Sequence, residues 1–146
     1  MSESPHYSDE ELARAWIRRF SQNRTRIVLA GQEDAKMREE QHIESETKWA
    51  FGELDDLVRE DPSRAWTMIL LILKLAQQDE DALNNLAAGP LESFLVHHGP
   101  KVIEQVEKEA RSNPQLKNLL LGVWGNAVDA TVWSRLQALF DDSTAC

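Results

Sequence analysis

The sequence predicts an all-α fold, and three observations carry that reading. Leu, Ala, Glu and Gln dominate while Val, Ile and Thr are sparse, a balance that favours helices over strands. Apolar residues recur at three- and four-residue spacing through most of the chain. Asp-Pro, Asn-Pro and Gly-Pro pairs punctuate it where helices are expected to start and stop. The 146 residues suffice for one domain around a single core, and 42% hydrophobic with 28% charged residues argues against global disorder. Within that domain, residues 8–60 read as N-terminal helices and residues 61–140 as Pro-punctuated helical hairpins.

Met1 to Tyr7 reads as a loose tail. Ser8-Asp9-Glu10-Glu11 forms a capping box, in which the Ser8 hydroxyl and the Glu11 carboxylate satisfy each other's backbone N–H. Leu12, Trp16 and Phe20 then mark an amphipathic helix to about Gln22. Asn23 to Gly31 is ambiguous between helix and extended chain. Glu33 to Glu60 can form one long helix, polar at first and apolar from Trp49 onward, where Ala50, Leu54, Leu57 and Val58 form a stripe. Asp61-Pro62 is a strong start signal, and the helix it opens leaves little room for a polar face, so it should be the most buried.

Asp79-Glu80-Asp81 opens the next helix with negative charge at the positive end of its dipole. The stretch Leu86 to Gly99, LAAGPLESFLVHHG, organises the rest: Gly89-Pro90 and Gly99-Pro100 both read as breaks between short helices. Asn113-Pro114 caps a further helix whose Leu116, Leu119, Leu120, Val123 and Trp124 have the best helical spacing in the chain. Asp129 caps the last helix, and residues 141–146 should fray. Paired as 62–77 with 80–88, 90–98 with 100–111, and 114–124 with 130–140, these segments suggest successive antiparallel hairpins. Two architectures fit: a HEAT-like α-solenoid and a compact orthogonal bundle.

Formal net charge is −9, which disfavours nucleic-acid binding because most of the surface would repel phosphate. No basic recognition helix suggests a DNA reader. Residues 1–26 hold Arg14, Arg18, Arg19, Arg24 and Arg26 and sum to about +1, so the remaining body carries about −10. Such a body suits a basic protein partner, against the plainer reading of a well-solvated face. Apolar runs are too short to span a bilayer, and no secretion signal is evident. The single cysteine, Cys146, offers no internal disulfide. These features lead to the expectation of a reduced, cytoplasmic protein.

Candidate sites are few. His97 and His98 are adjacent, so on a helix they point about 100° apart and are poorly placed to share a metal. Two histidines near a helix C-terminus is the simpler account. His42 and Glu46 share a face at i, i+4, yet no second pair supports a metal site. Glu92 complements a helix dipole, aims at a partner's arginine or, paired with a carboxylate of another helix, does acid–base work. Of the five tryptophans, most should be core, and Trp124, beside Gly125-Asn126 at a helix end, is the one whose position leaves room for an exposed ring against the commoner core reading. No nucleophile–base–acid set can be assembled, and no cofactor or metal is expected. Asp79, Glu80, Asp81, Glu92, His97, His98, Trp124 and Asn126 are the candidate partner-binding residues.

The order Trp66, Ala87-Ala88-Gly89-Pro90-Leu91-Glu92, His98-Gly99, Arg111, Pro114 and Gly122-Val123-Trp124 resembles an uncharacterised helical domain family of bacterial proteins, over roughly residues 60–136. The resemblance implies a small all-α domain and no assigned activity. The functional expectation is a non-enzymatic protein-binding module, in its most specific form a bacterial immunity or inhibitor protein that occludes a basic toxin or effector. The alternatives are an enzyme with an inter-helix Glu92/His97/His98 site and a homodimeric regulatory or structural domain.

Overall fold

Short polar side chains set most of the helix starts, as local chemistry dictates. A computed structural model describes residues 7–20 and 33–142. The first helix, α1, spans Asp9–Phe20. Before it, the Ser8 hydroxyl accepts from the Glu11 N–H at 3.1 Å and the Ser8 N–H donates to the Glu11 carboxylate at 3.4 Å. Helix α2 spans Glu33–Glu60, the single long helix expected, and α3 spans Pro62–Leu75, with Asp61 accepting from the Arg64 N–H. Helix α4, Glu80–Leu86, starts on Asp79, which accepts from Ala82 N–H. Helix α6, Pro114–Leu120, starts on Asn113, and α7, Ala130–Asp142, on Asp129.

The Gly-Pro breaks are where the expectation fails. Ala87–Leu91 forms one π-helical turn that joins α4 directly to α5, Glu92–Ser112, so the backbone is helical from Glu80 to Ser112. Pro90 has no N–H to give the Leu86 carbonyl, and the wider turn absorbs the misfit. The Glu92 N–H reaches back to the Ala87 carbonyl, five residues away. Gly99-Pro100 does not end a helix either and lies inside α5. Gly99 serves packing instead, because a Cβ there would sit 3.0 Å from a Val132 methyl of α7. The expected hairpin of 90–98 with 100–111 is therefore one helix. At the other boundary, α6 ends at Leu120 and not near Trp124.

One buried cluster runs from Leu12 on α1 to Leu139 on α7. Helix α3 contributes Ala65, Trp66, Met68, Ile69, Ile72 and Leu73 to it, and Trp66 stacks on Phe94 of α5 with ring centroids 5.4 Å apart. Contacts between α1 and α4, α2 and α5, and α3 and α6 close the helices around that shared core. In a solenoid each repeat packs on its neighbours alone, so the compact bundle is the better description. Helix α5 is tied to α7 by the Glu107 carboxylate, which grips the Arg135 guanidinium in a two-pronged ion pair. Asn23 to Gly31, Arg24, Arg26, Met1 to His6 and Cys146 lie outside the described residues.

Candidate functional site

The π turn meets the surface on several sides. Ala87 faces one cleft, Ala88 a second depression, and Gly89 with Pro90 a small third hollow of about 80 Å³ against Phe51 and Leu54 of α2. Single π turns inside α-helices recur at functional sites, because the displaced backbone re-aims neighbouring side chains. The stretch Leu86 to Gly99, expected to hold two helix breaks, holds a π turn and no break.

The second depression, about 450 Å³ and open to solvent, is lined by Ala88, Glu92, Trp124, Asn126 and Ala127. Three of the candidate residues, Glu92, Trp124 and Asn126, thus come together across 32 residues of chain. The Trp124 N–H donates to the Glu92 Oε1 at 3.1 Å. Glu92 follows a helical turn and does not cap a free helix start, so its partner is this loop and not the dipole expected for it. Its second oxygen has no protein partner among the described residues. On either side of Trp124 the loop is anchored: Val123 is buried, and Gly125 lies so close to the Trp133 ring that a Cβ would fall 2.5 Å from it. Held between these points, the Trp124 indole is 68% exposed and Leu121 is 60% exposed. Of the two readings open for Trp124, core or exposed, the exposed one holds, and the residue stands in a loop and not on a helix.

On the other side of the same loop is a cleft of about 380 Å³ between α4 and α6. Buried Leu73, Ala87 and Leu119 form its floor, and Glu80, Asn84, Gln115 and Asn118 stand exposed at its edges. Gly122 closes one end, where a Cβ would come within 3.1 Å of Ala87 Cβ. Glu80 is therefore a lining residue, whereas Asp79 spends its carboxylate on the helix cap, and Asp81 is half-buried. The exposed amides and Leu121 were missed, since isolated Asn and Gln carry no spacing signal. Leu121 is hidden in the sequence by the apolar stripe of α6.

The histidines do not join this site. His97 is exposed and donates from Nδ1 to the Ser93 carbonyl at 2.8 Å, within its own helix. His98 donates from Nε2 to the Val58 carbonyl of α2 at 2.7 Å. The cause is legible: four residues after Val58 comes Pro62, which has no N–H, so His98 supplies the missing donor. Both histidines lie well inside α5, not near a helix C-terminus as expected. Glu92 is thus engaged by the Trp124 loop, and the two histidines by the backbone carbonyls of Ser93 and Val58.

The face formed by α1 and α2 differs. Arg18 pairs with Glu46 at 2.7 Å, and Glu46 also meets His42 at 2.8 Å, so the i, i+4 pair is already engaged by an arginine. The Arg18 guanidinium holds the Glu46 carboxyl below the usual carboxylate range. Arg19 reaches Glu44, and Arg14 reaches Glu10. Trp49, expected in the core, is 42% exposed and rests against Tyr7, with ring centroids 5.0 Å apart. Burial of the Tyr7 phenol and the nearby Glu53 carboxylate push its pKa up to about 12. Among the described residues, no group of three or more His, Cys, Asp or Glu is placed to hold a metal, and no helix is long and apolar enough to cross a membrane.

A family model described as a family of unknown function (DUF6869) matches residues 37–144, and the chain belongs to that family. No curated protein and no solved structure matches it.

Proposed function

We propose that this member of the family is a protein-binding module that docks a partner on the Trp124 surface beside the π turn. The observation that carries the reading is the posture of Trp124: a large ring held outward by a loop fixed at Val123, Gly125 and Glu92. Tryptophan presented rigidly next to a depression is the residue type and geometry of a binding hot spot, because little conformational freedom is lost on contact. The open oxygen of Glu92 and the net charge of −9 favour a partner with a basic group beside an apolar pocket. In its most specific form the partner is a basic toxin or effector of the same bacterial cytoplasm, and the chain works by occlusion. Electrostatic steering would then speed association at low salt.

The test is capture of a partner from the native lysate by the immobilised full chain and by Trp124→Ala. One partner retained by the wild type, released progressively by salt and lost with Trp124→Ala is the expected outcome. Capture that is indifferent to the substitution contradicts the reading. A dimer of the chain that Trp124→Ala converts to monomer would also contradict it, by making a second copy the occupant.

A further inference from the structure

We propose that the cleft between α4 and α6 receives one arginine or lysine side chain from an extended segment of the partner protein. The inference deepens the reading above and rests on it for the partner being a protein. The cleft matches such a side chain part by part. Its floor of buried Leu73 and Leu119 suits an aliphatic stem, and the exposed Glu80 carboxylate at the edge suits a cationic head. No Lys, Arg or His lines it, so an anion would meet no counter-charge there. Asn84 on α4 and Asn118 on α6 supply side-chain amides on opposite walls. A carboxamide donates and accepts at once, as a backbone peptide group does, so walls of this kind suit the main chain on either side of the inserted residue. Gln115 adds a further amide whose N–H donates to Gln77 across the same cleft, leaving its carbonyl oxygen to accept. The cleft and the Trp124 surface share the Leu119–Ala127 segment, so one partner can engage both.

The experiment titrates the full chain, isotopically labelled, with acetyl-Ala-Ala-Arg-Ala-Ala-amide and with the same peptide carrying citrulline, following amide resonances. Saturable shifts of the Asn84, Gln115 and Asn118 side-chain amides and of the Glu80 and Gly122 backbone are expected with the arginine peptide. Affinity should fall at least about threefold with citrulline or with Glu80→Gln, the scale of an exposed ion pair. Gly52→Ala on α2, a helix that contributes no lining residue to the cleft, should leave this binding unchanged. Equal binding of both peptides, shifts elsewhere on the surface, or equally strong binding of free agmatine would overturn the inference. Those outcomes are separate from the fate of the Trp124 reading, which partner capture decides without the peptide.

Discussion

Two surfaces of this molecule carry exposed aromatic and charged side chains, and they are finished differently. On α1 and α2, Arg14, Arg18, Arg19 and Arg59 each find a carboxylate of the same two helices, and Trp49 leans on Tyr7. Among the described residues around the π turn, Glu80 has no cationic partner, one oxygen of Glu92 has no protein partner, and Trp124 meets no other ring. The loop behind Trp124 is nonetheless anchored, by buried Val123, by Gly125 against the Trp133 ring and by Glu92 on the Trp124 N–H. Composition alone would rank the surfaces equally. What separates them is whether each group is answered from within the molecule, and unanswered groups on a rigid support are what a partner can use.

Glycines give the first way to break the comparison. Gly125→Ala should cost about 1–3 kcal/mol, since the new Cβ must displace the Trp133 ring, and urea unfolding would read it. Gly52 on α2 has open space where a Cβ would stand, with nothing within 4 Å, so Gly52→Ala should stabilise by roughly 0.5–1 kcal/mol. If both substitutions destabilise alike, the difference in packing between the two surfaces is wrong. On the same scale as the Gly125 loss is His98→Leu, which leaves the Val58 carbonyl without its donor and should cost about 1–3 kcal/mol. An unchanged denaturation midpoint would show that the carbonyl finds another donor.

The smallest effect at neutral pH belongs to Tyr7. Its folded pKa of about 12 lies above the ordinary value of 10, so the folded state holds the proton more tightly. The stability linked to this proton is intact below pH 10 and is lost as pH rises through about 12. Tyr7 is the only tyrosine, so the tyrosinate absorbance reports it directly, and Glu53→Gln should lower the midpoint. A midpoint near 10 in the folded protein would remove the buried phenol from the α1–α2 account.

Much of this architecture was legible because helix starts are local. Ser8, Asp61, Asn113 and Asp129 each cap the helix expected of them, with the side-chain oxygen on a backbone N–H one turn ahead, and Asp79, expected only to add charge at a helix start, does the same for α4. Helix interruptions were misread because their cost depends on tertiary context. At Pro90 the backbone widens into a π turn, and at Gly99 the missing side chain admits Val132. The same dependence hid the end of α6: the apolar stripe runs on to Trp124, but Gly122 against Ala87 and Glu92 on the Trp124 N–H turn the chain away. Glu92, Trp124 and Asn126 were individually recognisable by residue type. Their meeting was not, since it depends on a loop that no periodicity describes.

The central claim is that the surface beside the π turn, and not the one on α2, meets the partner. Its most direct test sets Trp124→Ala beside Trp49→Ala, matching one exposed tryptophan with another, and measures retention of the captured partner at fixed salt together with urea stability. The account predicts a loss of at least about 2 kcal/mol in binding for Trp124→Ala with stability nearly unchanged, and near-wild-type retention for Trp49→Ala. Equal losses from both variants, or a loss confined to Trp49→Ala, would contradict it.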